Sequence, residues 1–275
     1  MPVENKISYN IHLVSDSTGE TLSTIAKAVL VQYKNLNFEQ HIHSLVRSKK
    51  QIETVYAEIK EKPGIILCTL YDIELKKTLQ ALCDELSIPL IDPLDTIHQS
   101  LTSVYGIKGS PIVGGQHQLN TEYFERIDAM NYTLAHDDGI ISGDLNEADI
   151  ILIGVSRTSK TPTSIYLANR GLKTANIPFV NNIPLPPELD TVKNPMIVGL
   201  LATPERIIQI RKNRLMALNA KDDSNYVDKR LVSEEILKAK KLFENNNWPV
   251  IDVTRKSIEE TAAEIMLLLR GRHTA

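Results

Sequence analysis

Two α/β domains are the architecture that the sequence predicts, and three observations lead there. In the first hundred residues, short apolar runs alternate with amphipathic stretches of helical period, the pattern of a mainly parallel sheet covered by helices. The rhythm breaks between residues 93 and 146 and resumes after it. With 275 residues and 42% hydrophobic content the chain could bury one large core or two modest ones, and two fits the usual domain size better. The expected division is an α/β domain over 1–105, a connector over 106–145, and a second α/β domain over 146–275.

The amino-terminal elements follow in order. Tyr9 to Ser15, Glu39 to Leu45, Gly64 to Leu70 and Ile88 to Asp92 read as strands, with helices near Thr21 to Tyr33, Lys49 to Lys60 and Glu74 to Leu86 between them. The passage from first strand to first helix, Ser15-Asp-Ser-Thr-Gly-Glu-Thr21, is dense in hydroxyls and sits where parallel sheets bind ligands. Ser17 followed by Glu20 three residues on also fits a capping box, which would explain part of that loop without a ligand. The connector carries Gly106, Gly109, Pro111, Gly114 and Gly115, then a helical stretch from Asn120 to Met130. In the second domain, Ala148 to Ile153, Ile177 to Val180, Met196 to Leu201 and Trp248 to Val253 read as strands, and Ser257 to Leu269 as a closing helix.

Composition excludes several classes. A net charge of −3 and a pI near 6.2 give no general drive toward nucleic acid, and the Arg206, Arg211, Lys212 and Arg214 run suits a solvated helix face. No stretch approaches the ~18 apolar residues of a membrane span, and Met1 to Lys6 has no apolar signal core. Cys68 and Cys83 lack metal-ligand spacing and read as buried thiols, so a cytoplasmic protein is expected. A homodimer is expected only because two-fold assemblies are common.

The most informative segment is Gly154-Val-Ser-Arg-Thr-Ser-Lys-Thr161, placed between an apolar strand and a helix that runs through Ser164 to Arg170 and stops at Gly171. A phosphate-binding loop needs that arrangement, because its backbone N–H groups and the helix N-terminus behind it converge on phosphate oxygens. Lys160 would lie against the outer phosphates and the Thr161 hydroxyl would ligate Mg²⁺. Ser159 stands where the motif has its second glycine, and a left-handed backbone there would cost it roughly 1 kcal/mol or more. The plainer alternative is a Ser/Thr-rich turn with a surface lysine.

Phosphoryl transfer also needs an acid that holds the metal and a group that orients or deprotonates the acceptor. His136, Asp137 and Asp138 are the candidates, since two adjacent carboxylates beside an imidazole can divide into metal ligand and base. Asp-Asp-Gly is equally good turn chemistry, with His136 structural. The strand Met196 to Leu201 has no terminal Asp for a metal, although Glu205 follows, which makes Asp137 or Asp138 more attractive. Arg157, Arg206 and Arg211 could stabilise charge on the transferred group, and the loop with Asn181-Asn182 and Pro184 to Pro187 could face the acceptor.

Taken together, the stretches His12 to Thr21, Ile127 to Gly139, Gly154 to Ala168 and Pro204 to Arg211 resemble the bacterial pyruvate, phosphate dikinase and phosphoenolpyruvate synthase regulatory protein family. The resemblance spans nearly the whole chain. It implies a bifunctional enzyme that uses ADP to phosphorylate, and so inactivate, an active-site threonine of the dikinase, and that reverses this with inorganic phosphate, releasing pyrophosphate. Gly154, Val155, Ser156, Arg157, Thr158, Ser159, Lys160 and Thr161 correspond to the family's ADP-binding motif. Thr158-Ser159 and the segment Asn169 to Phe179 look more like the dikinase branch than the synthase branch, so the dikinase is the expected partner. Two other readings remain open at this point: a small-molecule kinase using ATP, and a non-catalytic nucleotide sensor.

Overall fold

The computed structural model describes residues 8–107, 109–110, 112–115, 120–141, 143–217 and 226–274; Pro111 and the Met1 to Lys6 stretch lie outside the described residues. The chain forms two compact units, Met1–Gln118 and Leu119–Ala275, which divide residues 106–145 between them. Each unit is α/β, as the alternation of runs predicts.

The first unit runs β1 (Ser8–Ser15), α1 (Glu20–Leu30), β2 (Asn37–His43), α2 (Lys49–Glu61), β3 (Gly64–Thr69), α3 (Ile73–Glu85), β4 (Leu90–Ile91) and α4 (Asp95–Tyr105). Its strands are all parallel in the order β2-β1-β3-β4. Alternation along β1 sends Ile11 and Leu13 to one face, with Leu22 and Ala26 of α1, and Val14 to the other, with Ile52, Ile59, Ile66, Leu79 and Cys83. Two helices start on caps that the sequence carries: Ser48 accepts from the Gln51 N–H and Asp72 from those of Glu74 and Leu75. The expected Ser17–Glu20 capping box does not form. Helix α1 begins after Gly19 at φ 80°, with no side-chain cap, because the left-handed glycine turns the chain too late for Ser17 to reach the first turn.

Cys68 and Cys83 are buried and unpaired, and burial pushes their thiols up to about 12 and about 11. They are inert at neutral pH.

A stack of imidazoles ties β1 to β2. The fully buried His12 ring lies 4.8 Å from that of His41 and 5.4 Å from that of His43. Its Nε2 is 2.8 Å from the Lys62 carbonyl and its Nδ1 is 3.1 Å from His43 Nε2. Burial holds both His12 and His43 below the ordinary 6.5, even though Glu58 lies 3.8 Å from His43 and pulls the other way. Both rings are therefore neutral when folded, while the unfolded chain takes up protons near 6.5. The stability they contribute is complete above that pH and is lost as pH falls through the lowered folded values. Thermal unfolding of this unit is expected to move to lower temperature below about pH 6.5, and less steeply in His43→Gln; an unchanged slope in the variant would overturn the assignment.

The second unit runs α5 (Thr121–Ala135), β5 (Ile150–Gly154), α6 (Lys160–Ala168), β6 (Thr174–Pro178), β7 (Met196–Leu201), α7 (Pro204–Ala217), α8 (Lys229–Asn245), β8 (Val250–Asp252) and α9 (Ile258–Thr274). The order is β6-β5-β7-β8, all parallel, so the two units share one strand topology. All five residues of β5 are buried, as befits a central parallel strand covered on both faces. They join Ala175, Val198, Leu200, Ile207, Phe243 and Ile265 in one core. Strand β6 starts three residues before the expected Ile177, on polar Thr174 and Asn176, which pair with Ile150 and Leu152. In each sheet the strand order reverses beside the first strand, which places a ligand crevice outside the carboxyl ends of β1 and β3, and of β5 and β7.

Candidate functional site

Beyond the carboxyl end of β5 the chain turns through Val155 to Ser159 and enters α6 at Lys160. Thr158, fully buried, closes the turn by donating to the Val155 carbonyl at 2.9 Å. Arg157 and Ser159 are left-handed, at φ 77° and 60°. Ser159 therefore has the backbone that the motif's glycine provides, at a cost of roughly 1–2 kcal/mol. Gly154 is required for a different reason. A Cβ there would lie 2.5 Å from the Leu200 carbonyl oxygen and 2.8 Å from Thr158 Oγ1, and the first of these is backbone that cannot step aside. Gly154→Ala is expected to cost about 1–3 kcal/mol, read as a melting point lowered by about 2–4 °C per kcal/mol for a domain of this size.

Lys160 points back into the turn. Only 6% exposed, it donates to the Gly154 carbonyl at 2.8 Å and the Val155 carbonyl at 3.1 Å. Burial pushes its ammonium down to about 8, against the pull of Asp138, Asp137 and Glu235. A buried cation at a helix N-terminus, hydrogen-bonded to two carbonyls, attracts an anion.

The turn after α5 comes to the same place. Asp137 Oδ1 accepts from Thr161 Oγ1 at 3.0 Å and from Asn176 Nδ2 at 2.5 Å, and Asn176 Nδ2 also reaches Thr161 Oγ1 at 2.9 Å. The turn is pinned to β6 by backbone bonds from Asn176 N to the His136 carbonyl and from Gly139 N to the Asn176 carbonyl, both 2.9 Å. Asp138 is exposed and left-handed at φ 54°, a backbone that aspartate tolerates in a turn. His136 faces away from this triangle. Its buried ring stacks on Tyr132 at 3.9 Å between centroids, and Nδ1 lies 2.8 Å from the Tyr132 carbonyl.

The arginines divide. Arg211 is 4% exposed and bound to Glu235 at 2.9 Å, to the Tyr226 carbonyl at 3.1 Å and to the Ser156 carbonyl at 3.5 Å, so it braces the turn from behind. Arg157 is exposed, and its Nε donates to the Tyr226 hydroxyl at 3.2 Å. Arg206 is exposed on α7, and the neighbouring Glu205 pairs with Lys229 at 2.8 Å. In the loop after β6, Asn181 accepts from Lys238 at 2.8 Å and Asn182 is left-handed. Sequence reasoning missed Asn176, Tyr226 and Glu235. A polar residue inside the strand Thr174–Pro178 was the only available signal for the first, and nothing local marked the other two.

Among the described residues no cluster of three or more His, Cys, Asp and Glu forms a metal cage. The oxygens of Thr161 and Asp137 nevertheless fit Mg²⁺, which usually takes one or two protein oxygens and completes its shell with water and substrate phosphate. In the first unit, Ser15, Asp16, Ser17, Gly19 and Thr21 line a cleft of about 130 Å³ with Thr69, Tyr71 and Gly114. There Asp16 is committed to the Tyr71 N–H at 2.8 Å.

Strand order and the buried lysine at the head of α6 define a parallel α/β protein with an anion-attracting turn in its carboxy-terminal unit. The chain belongs to the kinase/pyrophosphorylase family, whose model matches residues 11–266. It is 50% identical over 274 residues to a protein of Afipia carboxidovorans, covering 98% of this chain and 97% of that one. A protein of Rhodopseudomonas palustris strain HaA2 is 52% identical over 265 residues, covering 96% and 95%, and one of Bradyrhizobium diazoefficiens is 50% identical over 273 residues, covering 99% and 98%. All three carry the provisional name pyruvate, phosphate dikinase regulatory protein. Among the described residues no helix is long and apolar enough to cross a membrane.

Proposed function

We propose that this protein is a bifunctional serine/threonine kinase and phosphorylase that regulates pyruvate, phosphate dikinase. It transfers the β-phosphoryl group of ADP to a dikinase threonine and removes it with inorganic phosphate. The observation that carries the reading is the convergence of a buried Lys160 with Thr161, Asp137 and Asp138 at the head of one helix, in a chain whose relatives are named for the dikinase.

The roles follow from what each group is free to do. The Gly154–Thr161 turn holds the phosphates of ADP, with Lys160 leaving its two carbonyls to face the group in transit. Thr161 and Asp137 hold Mg²⁺, which when bound neutralises phosphate charge. Asp137 is engaged by two donors, whereas the exposed Asp138 is available as base. In the forward direction Asp138 takes the proton of the threonine hydroxyl while its oxygen bonds to the β-phosphorus, and the bond to the bridging oxygen breaks to release AMP. In the reverse direction an oxygen of inorganic phosphate bonds to the phosphothreonine phosphorus, the threonine oxygen leaves and regains its proton from Asp138, and pyrophosphate departs. His136 serves as a pillar of the turn. Two buried free thiols suit a reducing, cytoplasmic setting.

Purified dikinase incubated with β-³²P-ADP is expected to take label on threonine, with γ-labelled ATP inactive and Lys160→Ala without transfer. Label from ATP alone would replace this reading by an ATP kinase, label on phosphoenolpyruvate synthase only would change the target, and tight ADP binding without transfer to either would make the protein a sensor.

A further inference from the structure

Asn176 is a polar side chain in an apolar setting. It is 1% exposed, midway along the edge strand β6 and paired with Leu152 of β5. An asparagine there forgoes the packing that an apolar residue of the same size would give, and its Oδ1 finds no partner among the described residues. Its backbone already does the structural work of pinning the turn, through the His136 carbonyl and the Gly139 N–H. The side chain is spent on two other atoms, Asp137 Oδ1 at 2.5 Å and Thr161 Oγ1 at 2.9 Å. The amide must face them with its NH₂, because the flipped amide would set two acceptor oxygens against each other.

Counting donors and lone pairs shows what this does. The Thr161 hydroxyl has one proton and two lone pairs. The proton goes to Asp137 Oδ1 at 3.0 Å, and one lone pair accepts from Asn176. One lone pair remains, and its direction is fixed by the other two bonds. On the Asp137 side, Oδ1 takes both donors, and no described residue bonds Oδ2.

We propose that Asn176 is a positioning residue that presents the remaining lone pair of Thr161 and the free oxygen of Asp137 to the divalent cation that accompanies a nucleoside diphosphate. This rests on the nucleotide reading of the same site. Without Asn176, Thr161 can rotate about χ1 and Asp137 can turn, so the cation meets an unprepared pair. Residues behind metal ligands commonly set affinity by about 10–100-fold.

The test uses Mn²⁺ as probe, its affinity read by electron paramagnetic resonance on the full chain with saturating ADP. Asn176→Leu keeps the volume and removes both donors; Asn176→Ala removes both donors without adding a charge, which serves should the leucine fail to fold. Either variant is expected to bind Mn²⁺ about 10–100-fold more weakly, to bind ADP in EDTA within about threefold of the parent, and to regain transfer rate as Mg²⁺ is raised. Unchanged Mn²⁺ affinity in a folded variant overturns the role, as does an equal loss of ADP affinity in EDTA, which would mark Asn176 as a general support of the turn. If the parent protein itself binds no Mn²⁺ with ADP, the nucleotide reading falls and this role with it, an outcome distinct from the other two.

Discussion

Asp138→Asn is expected to lower the rate of transfer from ADP to the dikinase by roughly 10²–10⁴-fold, the usual contribution of a positioned general base. ADP affinity should stay within a few-fold of the parent. Asparagine is the informative substitution because it keeps the size and, like aspartate, tolerates the left-handed φ of 54° found here. A failure cannot then be blamed on the backbone. Asp137→Asn should behave differently. That carboxylate is held by Thr161 and Asn176, so its loss is expected to raise the Mg²⁺ needed for half-maximal rate before it lowers the rate at saturating Mg²⁺. If the two variants show the same pattern, the division of labour between the carboxylates is wrong; if Asp138→Asn retains full rate, Asp138 is not the base.

Lys160→Met should lower kcat/KM by about 10²–10³-fold, comparable to removing one donor to developing negative charge. A sharper signature lies in the pH dependence of binding. In the nucleotide-free protein burial has brought the ammonium down to about 8. The charged form attracts phosphate, and a bound phosphate favours that form in turn and raises its pKa. ADP affinity should therefore be level below pH 8 and fall as pH rises above it, by at most about tenfold per unit, until the bound-state value is passed. Calorimetric titration from pH 6.5 to 9.5 would show that limb in the parent and not in Lys160→Met. A flat profile in the parent would mean that the lysine does not meet the phosphate. The stability linkage has the opposite slope: the unfolded chain holds this proton to about 10.5, so the empty protein gains stability as pH rises between the two values.

The fold class was legible because period and punctuation agreed. The runs Gly64–Thr69, Ile150–Gly154 and Met196–Leu201 are short, apolar and bounded by turn residues. The misses have physical causes. Helix α4 has no buried residue, and Ile97, Leu101, Val104 and Tyr105 are all exposed, so it gave no core-facing pattern where the rhythm of the first domain breaks after residue 93. Helix α8 did carry a signal, an Asp228 cap followed by Val232, Ile236, Ala239 and Phe243 at helical spacing. The start of strand β6 was misplaced because Thr174 and Asn176 are polar, and a strand buried on both faces is expected to be apolar. That misplacement hid Asn176. At the site, spacing pointed to the Gly154–Thr161 turn and to the Asp-Asp-Gly segment separately, and the left-handed backbone considered for Ser159 is present. No local rule says that Asp137 meets Thr161, that His136 turns away to Tyr132, or that Tyr226 and Glu235 gather around Arg211, because these are contacts between elements far apart in sequence.

Each sheet is woven from an unbroken length of chain, with no strand borrowed from the other unit. On the ribosome this ordering has a consequence: the first unit is complete once residue 118 has emerged, before the Lys160 turn has left the ribosome. A nascent protein can thus seal the thiols and imidazoles of its first sheet while the second unit is still being synthesised, and truncation within the later half should leave a folded amino-terminal unit rather than an unfolded chain.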